Sequence, residues 1–233
     1  TMPTATPTPV QLRPPTALSA AEVEALNERF ETAHPTEAIR WATTTFGDGL
    51  CLTTSFSDTL LIDLAVAVDP DIEVVFLDTG FHFAETLDTL RRAMVRYELR
   101  LRVERPDEDA PDLWESGTEA CCAARKVAPL DRALAGKRAW LSGMRRDDHA
   151  GRAHTPIVQF DRRGLVKVNP LAAWPAAEAE SYAAEHDIVL NPLLAEGYES
   201  VGCWPCTERL TDGDDARSGR WADSTRTECG IHL

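Results

Sequence analysis

The feature that most constrains this chain is an alternation. Short apolar runs rich in β-branched residues recur between stretches with helical periodicity. Gly49–Thr53 (GLCLT) reads as a strand. Ser57 or Asp58 then caps a helix to about Val68, with Leu60, Leu61, Leu64 and Ala65 on one face. Ile72–Leu77 (IEVVFL) is a second strand, Phe83–Leu99 a helix, and Leu99–Val103 a third strand. Glu119–Ala135 reads as helical, with Pro129 kinking or interrupting it. Ala139–Ser142 is a further strand. Ile157–Phe160 and Leu165–Val168, on either side of D-R-R-G, form a hairpin, and Pro175–His186 is a helix with proline in its first turn. The fold class is therefore α/β: a parallel twisted sheet with helices on both faces, Rossmann-like in outline.

Ligands on such sheets sit beyond the carboxyl ends of the strands. The loops 53–58, 78–82 and 143–152 should therefore surround one crevice. Upstream, S-A-A-E starting at Ser19 is a capping box that opens a helix to about Thr32, and a second helix covers about Glu37–Thr45. The first 18 residues hold five prolines and five threonines and are expected to form a disordered arm. Residues 19–207 are expected to form the α/β domain, and 208–233 a flexible tail.

The length of 233 residues is enough to bury a sizeable core without covalent staples, so the six cysteines call for another role. The opening residues lack the apolar core of a secretory signal, and no run is long and apolar enough to span a membrane. A cytoplasmic location is expected, where thiols stay reduced and clustered cysteines bind metal or do redox chemistry. The net charge of −14 repels nucleic-acid backbones, so no nucleic-acid partner is expected. A small anion can still be held by a few converging arginines. A homo-oligomer is compatible with the sequence.

Four cysteines fall into two close pairs, Cys121–Cys122 and the C-W-P-C of Cys203 and Cys206. Four thiolates can make a tetrahedral sulfur site, for zinc or for an iron–sulfur cluster. Adjacent helical residues point about 100° apart, so Cys121 and Cys122 can share a site only with local distortion. The alternatives are a thioredoxin-type redox pair at C-W-P-C, or unrelated buried cysteines. Spacing does not separate zinc from iron–sulfur. Cys51, mid-strand among apolar residues, reads as a core residue. Cys229 lies in the terminal T-E-C-G-I-H-L, either an incidental surface thiol or a used one. His232 and the upstream Arg217, Arg220 and Arg226 could favour its thiolate.

The T-T-S-F-S-D segment (53–58) follows a strand and opens a helix, a place where backbone N–H groups accept an anion, or where an ordinary cap sits. It is not a G-x-x-x-x-G-K-[ST] loop, which argues against ordinary ATP hydrolysis. L-D-T-G-F-H-F (77–83) could present backbone groups to an adenine. G-M-R-R-D-D-H-A-G-R (143–152) gathers three arginines and R-S-G-R (217–220) two more, each a planar fork suited to phosphate or sulfate. Lys126, one helical turn after Cys122, sits beside a metal site or faces water.

Taken in order, S-F-S-D, L-D-T-G-F-H-F-A-E-T, C-C-x-x-x-K-V-x-P-L, G-M-R-R, K-V-N-P-L-A-A-W, G-C-x-P-C, R-S-G-R-W and E-C-G-I-H-L resemble the assimilatory adenylylsulfate (APS) reductases of the phosphoadenylylsulfate reductase family, from about residue 49 to the end. The resemblance implies an adenine-nucleotide α-hydrolase-like fold. It also implies reduction of adenosine 5′-phosphosulfate to sulfite and AMP with thioredoxin as donor, in sulfate assimilation towards cysteine. By that resemblance Cys229 is the catalytic cysteine, and Cys121, Cys122, Cys203 and Cys206 hold a 4Fe–4S cluster. Lys126, Arg152, Arg217, Arg220 and His232 match positions that hold the phosphosulfate, and Ser55, Ser57, Leu77 and Gly143 match the adenosine-contacting loops. The loop after Ser57 departs from some members by running directly into Asp58. The cluster cysteines favour the substrate without a 3′-phosphate. Two other readings stay open: a nucleotide-activating enzyme of the same fold that adenylylates with ATP, such as a tRNA-thiolating protein, and a zinc-stabilised nucleotide-binding module.

Overall fold

The computed structural model describes residues 18–210, 218–221 and 230–232. All of the expected N-terminal arm but Leu18, together with Arg217, Arg226 and Cys229, lies outside these residues. Six strands form one sheet: β1 (Leu50–Thr54), β2 (Glu73–Leu77), β3 (Arg100–Glu104), β4 (Ala139–Leu141), β5 (Val158–Phe160) and β6 (Val166–Val168). Their order is β3-β2-β1-β4-β6-β5. All neighbours run parallel except β5 and β6, the expected hairpin. The helices are α1 (Ala20–Phe30), α2 (Pro35–Phe46), α3 (Leu60–Val68), α4 (Ala84–Tyr97), α5 (Leu113–Cys122), α6 (Ala128–Ala133) and α7 (Ala176–Glu185). None among the described residues is long and apolar enough to cross a membrane.

Strand periodicity sorts the core into two faces. Leu50 and Leu52, Val74 and Phe76, Ala139 and Leu141, and Val166 and Val168 join the large cluster packed by α1, α2, α3, α4 and α7. Cys51, Val75 and Trp140 point the other way, onto Leu130, Ala133 and Leu134 of the α6 segment. The edge of β5 is covered by α1: Asn27 accepts from the Val158 N–H at 2.9 Å and donates to its carbonyl at 2.8 Å.

Two local expectations are corrected. The capping box at Ser19 forms, but α3 is not capped by the Ser57 hydroxyl: Thr59 is its N-cap residue and makes no side-chain cap bond, because the Thr59 hydroxyl is engaged by Tyr97 and Val189. The Asp58 carboxylate accepts the Leu60 N–H instead, at 2.9 Å. The helical stretch expected over 119–135 starts earlier, at Leu113, and its interruption falls ahead of Pro129. A π-helical turn, Ala123–Val127, separates α5 from α6, and Pro129 sits in the first turn of α6, where its missing N–H costs nothing.

Candidate active site

The strand order reverses between β1 and β4. That is the topological switch point, where two loops leave the sheet in opposite directions and open a crevice. A cavity of about 590 Å3 lies there, lined by the loops after β1, β2 and β4.

The first loop is shaped by Phe56. Its backbone is left-handed (φ 55°) and its ring is fully buried against Phe76, with ring centres 5.3 Å apart. Burying Phe56 turns its two neighbours outward, so Ser55 and Ser57 line the cavity with their hydroxyls 3.3 Å apart. The second loop turns at Gly80 (φ 79°), whose N–H is taken by Asp78 at 3.1 Å. Leu77, Thr79 and His82 face the cavity. Burial lowers the His82 pKa. The third loop brings Gly143, Met144, Arg145 and Arg152 to the cavity. Arg145 and Arg152 both bind Asp148, at 3.3 and 2.6 Å, which fixes two guanidiniums at the rim. The third arginine of that motif is elsewhere: Arg146 makes two bonds to Glu31 at the end of α1. That pairing lowers the Glu31 pKa and raises that of Arg146.

Arg220 reaches the same cavity from the C-terminal side. It is 8% exposed, lies over the Trp221 ring at 4.6 Å, and its Nε is buried with no hydrogen-bond partner among the described residues. A buried guanidinium N–H without an acceptor suits an anionic ligand. Gly202 makes room for it: a Cβ there would meet Arg220 Nη2 at 2.2 Å. His232 and Ile231 complete this wall.

The four paired cysteines, Cys121, Cys122, Cys203 and Cys206, line one small hollow that opens beside the cavity, and Lys126 lines both. The distortion that the adjacent pair requires is present, since the π-helical turn begins immediately after Cys122. C-W-P-C forms a single 3-10 turn, with Cys206 N–H on the Cys203 carbonyl at 3.0 Å. It does not open a helix after a strand, which removes the thioredoxin-type reading. The second loop is tied to it: Trp204 N–H donates to the Phe81 carbonyl at 2.8 Å, and the Thr79 hydroxyl lies 3.3 Å from Cys203 Sγ. Burial raises the Cys121 pKa, the Cys203 thiol raises it further, and Arg125 pulls it back. Arg125, which the sequence reading passed over, clamps this corner by donating to the carbonyls of Thr79, Ala110 and Pro111. Cys51 stands apart in the sheet, fully buried, its thiol pushed up to about 12 by burial.

Every expected substrate-side residue within the described part, Ser55, Ser57, Leu77, Lys126, Gly143, Arg152, Arg220 and His232, thus meets at one cavity. Thr79, His82, Tyr198 and Trp221 are there too, and sequence reasoning had not named them. Thr79 and His82 lie in the 77–83 loop and Trp221 ends R-S-G-R-W, segments the sequence had picked out, whereas Tyr198 carried no signal.

Known proteins resemble this chain throughout. Residues 50–209 match the family described as "Phosphoadenosine phosphosulfate reductase domain". A Streptomyces coelicolor protein named adenosine 5′-phosphosulfate reductase is 45% identical over 226 residues, covering 91% of this chain and 95% of that protein. A Rhodococcus opacus protein of the same name is 41% identical, over 95% and 94% respectively. Among solved structures, the Candida auris phosphoadenylyl-sulfate (PAPS) reductase, in a phosphate complex, superposes with a TM-score of 0.73 at 29% identity, over 83% of this chain and 99% of that one. The FMN adenylyltransferase of Candida glabrata, at 14% identity and a TM-score of 0.57, shares the fold alone. The chain belongs to the phosphoadenosine phosphosulfate reductase domain family.

Proposed function

We propose that this chain reduces adenosine 5′-phosphosulfate to sulfite and AMP in the cytoplasm, as a step of sulfate assimilation towards cysteine. The observation that carries this reading is Lys126: one cation borders both the nucleotide-sized cavity at the switch point and the hollow of four thiols. The relatives' names supply the substrate.

In the proposed binding mode the adenosine lies along the loops of Ser55, Ser57, Leu77 and Gly143. The phosphosulfate faces Lys126, Arg152, Arg217, Arg220 and His232. Cationic forks there stabilise the charge that collects on AMP as it leaves. Cys229, outside the described residues, is the proposed nucleophile, and its chain neighbour Gly230 is followed by Ile231 and His232 on the cavity wall. Its thiolate attacks the sulfur of the sulfo group, and the bond from sulfur to the bridging oxygen breaks. AMP departs with that electron pair and the enzyme carries S-sulfocysteine. A thiolate of a thioredoxin-type dithiol then attacks Cys229 sulfur. Sulfite leaves with the electron pair of the S–S bond, and the second donor thiol resolves the mixed disulfide. The dithiol supplies both electrons. For the donor to reach Cys229, the segment 230–232 must leave its seat, so residues 208–233 act as the moving tail of the domain at 19–207.

The thiol hollow fits a 4Fe–4S cluster on Cys121, Cys122, Cys203 and Cys206. Four thiols share one hollow there, and four thiolates are the donor set that such a cluster takes. When bound, such a cluster would supply a local field that organises Lys126 and the sulfo-binding groups.

An anaerobic assay of sulfite release tests the reading, using adenosine 5′-phosphosulfate and its 3′-phosphorylated form, with and without thioredoxin. Release from the first substrate that requires thioredoxin is the expected result. Preference for the 3′-phosphorylated form, or release from neither, would overturn the substrate assignment. Iron and acid-labile sulfide in the purified protein support the cluster; zinc in their place would refute it.

A further inference from the structure

Lys167, from the K-V-N-P motif, has no part in the chemistry described so far. It stands on β6 and is only 1% exposed. Its direction follows from the sheet. Lys167 pairs in register with Trp140 of β4, and register partners present their side chains on the same face. Both therefore point away from the large apolar cluster, towards α6 and the C-terminal segment.

There the ammonium nitrogen lies 4.9 Å from the centre of the Trp140 ring, 3.3 Å from Met144 Sδ and 3.1 Å from His232 Nδ1. A ring face, a thioether and an imidazole nitrogen are all electron-rich, and an ammonium can only donate. The hydrogen bond therefore runs from Lys167 to His232. The imidazole is stacked on Trp140, with ring centres 6.2 Å apart and an interplanar angle of 9°. With Nδ1 accepting, the ring carries its one proton on Nε2. A second proton on Nδ1 would meet the ammonium head on.

We propose that Lys167 is a positioning residue for the reaction: it holds His232, on the cavity wall, as the Nε2–H tautomer tied to the sheet through Nδ1. The proposal rests on the reading that His232 contacts the phosphosulfate. Lys167 acts through His232 and does not line the cavity itself. The same bond fastens the chain's end to the strand. Ile231 adds to the anchor by packing against the clusters of Trp140 and of Trp221.

The test begins with the intact, anaerobically purified protein labelled with 15N-histidine. Long-range 1H–15N spectra distinguish the tautomers, and the His232 signal is assigned by its loss in His232→Asn. An Nε2–H ring at neutral pH is expected; an Nδ1–H or doubly protonated ring overturns the proposal, whether or not the protein reduces the nucleotide. In Lys167→Met, which keeps length and replaces the ammonium by an apolar end, kcat for sulfite release should fall by about tenfold or more with AMP affinity unchanged. In the double variant Lys167→Met/His232→Asn, the lysine change should add little to the histidine loss. Losses that multiply would mean Lys167 acts independently of His232, and the proposal would fail. Should wild type release no sulfite at all, the functional reading falls while the spectrum still decides the Lys167–His232 link.

Discussion

The two faces of the sheet are built from alternate residues of the same strands and have opposite jobs. One face is a broad apolar layer closed by α1, α2, α3, α4 and α7, with Leu52, Val74, Phe76 and Leu141 almost wholly excluded from water. The other has a small cluster of Cys51, Val75, Leu130, Ala133, Leu134 and Trp140, and beside it come the thiol hollow, Lys167 and the chain's last described residues. Burial on the first face supplies most of the driving force for folding. The second face has less to bury, so it can hold buried cations and thiols without emptying the core. Along a strand, one step in sequence moves a residue from one duty to the other, as Leu141 and Trp140 illustrate.

The largest separation of the two faces is expected from Cys229→Ser. Sulfite release should be lost entirely, with AMP binding and the melting temperature unchanged; measurable turnover would remove the nucleophile assignment. Next comes Leu64→Ala in α3, on the apolar face, which should cost about 2–5 kcal/mol in denaturant unfolding while leaving kcat/KM of the folded fraction alone. A loss of activity per folded molecule would show that the faces are coupled. Gly202→Ala is a milder change on the site face. The new Cβ would overlap the end of the Arg220 side chain, a flexible neighbour that can move aside. Stability should hardly change, and affinity for the phosphosulfate nucleotide should fall by about tenfold as the guanidinium is displaced. Unchanged affinity would place Arg220 outside the binding set.

The smallest effect concerns Glu31 and Arg146, which pin the third loop to α1. The Glu31 pKa is lowered in the fold, chiefly by the Arg146 hydrogen bond, so its stabilisation is complete above the ordinary value near 4.5 and is lost as pH falls through the folded value. Glu31→Gln should therefore unfold more easily than wild type near neutrality, and the gap should close below about pH 4.5. A gap that is constant with pH would mean that the charge contributes nothing.

The sequence made the apolar face legible because its signals are periodic and local. Strand and helix positions came within a few residues, and Cys51 was read correctly from its apolar neighbours. The cavity was legible in outline because ligands on a parallel sheet sit beyond the carboxyl ends of its strands, which picks out the loops after them. What escaped depended on long-range partners. Arg146 looks like its neighbours until Glu31, 115 residues away, claims it. Lys167 drew no reading of its own, because only sheet register and the returning C-terminus enclose it. Thr59 is the N-cap residue of α3, yet its hydroxyl is spent on Tyr97 and Val189, partners far away in sequence. The π-helical turn after Cys122 has no pattern of its own; only the demand that two adjacent thiols share a site hinted at it.

The claim on which the rest depends is that the terminal thiol takes the sulfo group from the nucleotide. Mass spectrometry of the peptide containing Cys229 measures this directly, after anaerobic incubation with adenosine 5′-phosphosulfate and no thiol donor. The expected result is a sulfite-mass adduct on Cys229 that disappears when thioredoxin is added. An unmodified terminal peptide, or an adduct on any other cysteine, would contradict it.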